Sequence, residues 1–164
     1  MSGPRITSGL ASKQNYATPP EFIAAVERRF GKLDFDLAAD ESNHQTPRWF
    51  GPGGEQPDAL AATWPSGRLW LNPPFANVTP WVKKCAQHTG EIFLLVTASV
   101  GANWFRDYVA PCADVYLLSG RLCFDGKNVF PKDCIIARFP YMGQRPTIYI
   151  WGWQSGRLYS PWSG

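Results

Sequence analysis

"LWLNPPFANVTPW", residues 69–81, is the stretch on which the reading of this chain turns. An apolar run, Leu69-Trp70-Leu71, stops at Asn72, and two prolines follow. Proline cannot donate to a sheet ladder and fixes its own φ, so Pro73 and Pro74 end a strand abruptly. A turn alone would prefer Gly, Asn, Asp or a single Pro. The corner therefore calls for a rigid backbone carbonyl, an amide side chain and the aromatic face of Phe75 together. Thr79 and Pro80 then open a helix expected to run through Cys85 to about His88, with Gly90 beyond it.

Outward from this corner the chain alternates. "ATPPEFIAAVERRFG" reads as a helix with Thr18 as cap, Pro19 in the first turn, Glu21 completing a capping box and Gly31 as stop. Phe22, Val26 and Phe30 fall on one face, with Ile23 beside them. "LDFDLAAD" (33–40) is a short strand entering a loop, and 41–65 is mostly loop. "RLWL" (68–71) is the second strand. "IFLLV" (92–96) is a continuous apolar run, as in a strand buried on both faces of a parallel sheet. "ANWFRDYV" (102–109) is a third, short helix; "DVYLL", "CIIARF" and "TIYIWGW" are further strands, with a basic and polar hairpin or loop between Ser119 and Asp133. This order is an α/β pattern, a mixed and mostly parallel sheet flanked by helices. Residues 1–15 read as a flexible N-terminal arm and 16–164 as a single domain, one domain being what 164 residues allow.

Bulk properties narrow the function. The chain is 45% hydrophobic and 18% charged, a globular composition, and has neither a membrane-length apolar run nor a signal-peptide core. A soluble, cytoplasmic protein is expected. Net charge is +3, which permits a nucleic-acid partner without requiring one. Arg28-Arg29 and Lys83-Lys84 read as solvated helix faces. Cys85, Cys112, Cys123 and Cys134 are widely spaced without a CxxC pair, so neither metal nor disulfide is expected. Trp104, Trp151, Trp153 and Trp162 read as packing residues.

The corner itself carries chemistry. The Asn72 side-chain carbonyl and the Pro73 backbone carbonyl are two converging acceptors beside an aromatic plate. That set suits an exocyclic amino group on a flat ring, whose lone pair is delocalised and poorly nucleophilic. Holding both N–H bonds in acceptors favours a pyramidal nitrogen, and Phe75 would stack on the ring. No Ser–His–Asp or Cys–His pairing is apparent for His44 or His88. Methyl transfer from a sulfonium needs neither metal nor covalent intermediate, only positioning and relief of charge. In an open α/β sheet ligands bind beyond the carboxyl ends of strands, and "FDLAAD" supplies a second polar strand end, with Asp36 backed by small Ala38 and Ala39.

With these residues in place, the chain resembles the phage-type DNA N6-adenine methyltransferases of the Dam group, which depend on S-adenosylmethionine. The resemblance covers roughly residues 16–139, through "YATPPEFIAAVERRFG", "FDLAADESN", "PDALAATW", "LWLNPPF", "WVKKCAQ", "NWFRDYV" and "GRLCF". It implies a Rossmann-like methyltransferase fold and transfer of a methyl group to adenine N6 in DNA. By the resemblance, Tyr16, Thr18 and Pro19 help hold the methionine end of the cofactor. Asp36 and Ala38 form the first cofactor loop, Asp40, Glu41 and Asn43 lie near the ribose, and Asp58 sits near the cofactor adenine. Asn72, Pro73, Pro74 and Phe75 hold the target base. Contacts to the DNA backbone are assigned to Arg121, Lys127 and Lys132, with Arg5 and Lys13 on the arm, and a bacterial host cytoplasm is implied if the source is a phage. The first cofactor loop lacks the usual glycines, and no separate target-recognition domain is expected. The rival functions are methylation of an amino or amide nitrogen in RNA or protein, and a non-catalytic nucleic-acid-binding module. Each site also has a plain structural reading: Thr18 to Glu21 as a helix cap, Asp36 as a turn former, Asp58 as the cap of a helical turn.

Overall fold

The computed structural model describes residues 17–159; Tyr16, Trp162 and the arm that carries Arg5 and Lys13 lie outside them. In chain order the elements are α1 (Pro20–Phe30), β1 (Phe35–Asp36), β2 (Arg68–Leu71), α2 (Thr79–Gln87) and β3 (Glu91–Thr97). A π-helical turn (Phe105–Val109) follows, then β4 (Asp114–Ser119), β5 (Cys134–Phe139), β6 (Ile148–Gly152) and β7 (Arg157–Tyr159).

All seven strands join one sheet in the order β1-β2-β3-β5-β4-β6-β7. β1, β2 and β3 pair in parallel, β4 pairs in parallel with β6, and β5 is antiparallel to both β3 and β4. β7 runs antiparallel to β6 at the edge. Five strands, β1, β2, β3, β4 and β6, thus point one way, the mixed and mostly parallel arrangement expected. "IFLLV" is parallel to β2 on one side and antiparallel to β5 on the other, and is buried throughout.

Alternation along the strands builds a core on each face of the sheet. Leu69, Leu71, Ile92, Leu94 and Val96 pack against Val82 and Cys85 of α2 and Val109 of the π-helical turn. Trp70, Phe93, Leu95, Trp151 and Trp153 pack against Phe22 and Val26 of α1. Burying each such side chain is worth about 1.5–3 kcal/mol, which fixes both helices on the sheet. Trp151 and Trp153 are core residues, as expected.

Three local expectations are corrected. The capping box at α1 does not form: Pro19 occupies the cap position, no side chain caps the helix, and Pro20 takes the first helical position, where its missing N–H costs nothing. The third helix forms over residues 103–109, as expected in extent, but from Phe105 to Val109 it is wound as a π-helix, a register that the sequence pattern does not reveal. β7 was not anticipated; its three residues, Arg157, Leu158 and Tyr159, are all exposed and show no alternation. At the other end of α1, Gly31 stops the helix at φ +101°, as expected.

Candidate active site

Because β1, β2 and β3 are parallel, their carboxyl ends lie along one rim of the sheet. The chain leaves β1 at Asp36 and β2 at Leu71, so the "LAAD" loop and the Asn72–Phe75 corner emerge side by side.

The first loop is pinned along its length. The Leu37 amide donates to the Trp70 carbonyl at 2.8 Å, Phe50 to Asp36 at 2.9 Å and Ala39 to Phe50 at 3.0 Å. Asp36, only 2% exposed, accepts from the Gln45 amide at 2.9 Å and the Ala38 amide at 3.2 Å. Burial pushes its carboxyl up from the ordinary 3.8 to about 7, against the opposing pull of those two amides and of His44. Asp36 is therefore the residue that shapes the loop, and its carboxyl group faces the loop's own backbone. The neighbouring segment packs tightly on this loop at a glycine: a Cβ on Gly51 would lie 1.8 Å from the Ala39 carbonyl oxygen, at a φ of +127°. No side chain fits there.

Above the loop lies a pocket of about 370 Å³, lined by residues that include Ala38, Asp40, Gly51, Asp58, Asn72 and Pro74. Asp58 is both cap and wall: its Oδ1 accepts from the Leu60 and Ala61 amides at 3.0 and 3.2 Å. Asp40 accepts from the Ser42 amide at 2.7 Å, and its own amide donates to Asn43 Oδ1 at 2.8 Å. Glu41 is exposed. Lys84, read from sequence as part of a solvated face, is instead half-buried. Its Nζ donates to the carbonyls of Leu60 (2.8 Å), Ala59 (3.3 Å) and Ala62, and sits 4.8 Å from the centre of the Trp64 ring. Desolvation lowers its pKa. The ammonium ends the Asp58 turn and ties that pocket wall to α2; Lys83 stays exposed.

At the corner, Asn72 Nδ2 donates to the hydroxyl of Thr18 at 3.0 Å. Thr18 is buried, and this bond, rather than a cap, is its role. Pro19 is buried beside it and Pro73 is buried under the corner, whereas Pro74 is exposed in the wall of the first pocket. Phe75 points the other way, into a second pocket of about 430 Å³ shared with Val78, Thr97, Trp104, Phe130 and Lys132. Its ring meets Phe124 at 6.1 Å and Phe130 at 5.9 Å, and those two meet at 5.3 Å and 84°. Phe124 was visible only within "GRLCF", and Phe130 carried no sequence signal beyond being an aromatic in a polar loop.

Arg121, Lys127 and Lys132 are all exposed on the loop between β4 and β5. Arg121 pairs with Asp133 at 3.0 Å. Among the described residues no ion pair engages Lys127 or Lys132. Among them, too, no three His, Cys, Asp or Glu gather to hold a metal, and no helix is long and apolar enough to cross a membrane.

The profile of the family described as DNA N-6-adenine-methyltransferase (Dam) matches residues 7–135, so the match ends as β5 begins. The chain is 29% identical over 119 residues to the DNA N-6-adenine-methyltransferase of Escherichia phage T1, covering 70% of this chain and 49% of that one. It is 27% identical over 120 residues to the protein of that name from Haemophilus phage HP1 (strain HP1c1), covering 70% and 68%. The chain thus spans about half the length of the first relative and about two thirds of the second. Two pockets meeting at an Asn-Pro-Pro-Phe corner, and a family match across most of the sequence, place this chain in the DNA N-6-adenine-methyltransferase (Dam) family.

Proposed function

We propose that this chain transfers a methyl group from S-adenosylmethionine to the N6 amino group of adenine in DNA. The observation that carries the reading is the position of the corner between two pockets. Asn72 and Pro74 line one pocket, and Phe75, the next residue, lines the other. A donor in the first and a base in the second would meet at Asn72.

The first pocket fits the donor. Its floor is small and apolar (Ala38, Ala39, Gly51), so a ligand can approach the backbone, and Asp40 and Asp58 offer acceptors for ribose hydroxyls and amino groups. When bound, S-adenosylmethionine supplies an electrophilic methyl group on a sulfonium. Thr18 and Pro19 stand at the Asn72 side of this pocket, where the methionine end would lie, and Tyr16 precedes them.

The second pocket suits a flipped adenine, since N6 inside a duplex is out of reach and extrusion costs a few kcal/mol. Phe75 and Phe130 provide ring faces. With its Nδ2 committed to Thr18, the Asn72 amide turns its Oδ1 away from that hydroxyl, and this oxygen and the Pro73 carbonyl would accept the two N6 protons. As the N–C bond to the methyl group forms and the C–S bond breaks, positive charge grows on N6, and these acceptors stabilise it before the extra proton leaves to water. Arg121, Lys127 and Lys132 would meet backbone phosphates. All of this is assigned to one domain, residues 16–164.

The test is single-turnover transfer of labelled methyl from S-adenosylmethionine to adenine-containing duplex DNA. N6-methyladenine in the product is the expected result. Transfer to RNA or to a protein amide, with none to DNA, would overturn the reading.

A further inference from the structure

A smaller pocket of about 280 Å³ adjoins the second one, and Thr97, Ser99, Pro131 and Lys132 line both. Its remaining lining includes Arg121 and Asp133. The chemistry of the shared wall is that of hydrogen-bond donors. The Thr97 and Ser99 hydroxyls lie 2.8 Å apart where β3 ends, and Lys132 has no ion pair among the described residues. Asp133 is the only carboxylate in the lining, and Arg121 holds it at 3.0 Å. Two cations and one anion leave one positive charge over, and that charge sits on Lys132.

We infer that this annex binds the phosphodiester that flanks the target adenine, so that a single nucleotide spans both pockets with its base against Phe75 and Phe130 and its phosphate on Ser99 and Lys132. The inference rests on the adenine reading of the second pocket. It separates three cations that the sequence presents alike. Lys132 reads one particular phosphate, Arg121 meets the backbone with its charge shared with Asp133, and Lys127, which lines neither pocket, contributes to the general field. The same donors could hold free phosphate, and the chemistry of the ligand is shared; what distinguishes the sources is whether the charge must be part of the DNA chain.

The experiment replaces one phosphodiester with an uncharged methylphosphonate, at each linkage flanking the target adenine in turn and at a linkage six nucleotides away. For the parent, one of the two flanking replacements should weaken binding on the order of tenfold, as expected for loss of one charged hydrogen-bonding group. Lys132→Ala should lose most of that sensitivity, while Lys127→Ala should keep it. Lys132 is exposed, so its replacement leaves the fold intact. If Lys132→Ala is as sensitive to the neutral linkage as the parent, or if neither flanking linkage matters, the annex does not hold the chain's phosphate. Methyl transfer by the parent to the unmodified duplex is measured alongside. Its absence overturns the adenine reading and the annex together, whereas transfer without a linkage effect overturns the annex alone.

Discussion

The side-chain amide of Asn72 donates to the hydroxyl of Thr18 at 3.0 Å, joining positions 54 residues apart in sequence. A primary amide has one donor end and one acceptor end, so committing the nitrogen fixes where the oxygen faces. The segment leading into α1 therefore orients the amide to which the proposed methyl transfer assigns its acceptor.

Replacing Asn72 with Ala should lower single-turnover methyl transfer by ~10²–10³, the usual cost of one well-placed polar contact in a preorganised site. Affinity for S-adenosylmethionine, measured by calorimetry, should stay near the parental value. Thr18→Val keeps the shape but removes the acceptor, and should slow the same step by up to ~10-fold. Parental rates in folded Asn72→Ala would make the corner a turn and nothing more.

Phe75→Ala should weaken retention of the base by ~1–3 kcal/mol, the range for one stacking contact. Phe75→Tyr keeps the ring and should be tolerated. Phe130→Ala should also impair binding of adenine-containing DNA, since its ring lines the same pocket. The measurement is competition between a duplex carrying adenine and one carrying an abasic site at the target; equal loss for both duplexes would remove these rings from the base pocket.

Much of this organisation is legible in the sequence, and what is not has identifiable causes. Both ends of β2, the start of α2 and the buried run of β3 follow from local periodicity and proline placement. The insertion of β5 between β3 and β4 does not, because strand partners are chosen by contacts remote in sequence. Asn72 and Phe75 announce themselves by being out of place at a strand end. Lys84 looks like any surface lysine until the carbonyls of Ala59, Leu60 and Ala62 come into reach, and nothing local in the sequence shows that the oxygens of Asp36 accept from the Ala38 and Gln45 amides of its own loop.

Lys84→Met retains the aliphatic stem over Trp64 and removes the ammonium from those three carbonyls. Loss of a charged hydrogen-bonding group predicts about 1.5–3 kcal/mol lower stability in urea unfolding. If the first pocket holds the donor, as proposed, donor affinity should fall with it, because the Asp58 turn is a wall of that pocket, while the rate at saturating donor should hold. Unchanged donor affinity would detach this turn from the pocket.

Asp36 gives the stability a pH signature. Its carboxyl titrates at about 7 in the folded chain and near 3.8 when exposed, so folding favours the protonated form. The associated stability is fully present below about pH 4 and is lost as pH rises through 7, with a ceiling of ~4 kcal/mol for that difference. Asp36→Asn should flatten the decline between about pH 4 and 7 in chemical denaturation. Asp36→Ala should instead destabilise at every pH, since the amides of Ala38 and Gln45 lose their acceptor at ~1–3 kcal/mol each. A parental pH profile identical to that of Asp36→Asn would show that this carboxyl does not titrate in the window.

Because β5 runs against β4, the segment between them leaves and re-enters the sheet at the same rim, the one beside the corner. Residues 120–133 are thus a hairpin connection held at both ends beside the Asn72–Phe75 corner, not a crossover that must span the sheet. Such a connection can be lengthened cheaply, since doubling a flexible loop costs only about 0.6 kcal/mol in closure entropy. Under the proposed function, exchange of this one segment would therefore change the preference for particular DNA sequences, with the proposed donor pocket and the Asn72–Phe75 corner left as they are.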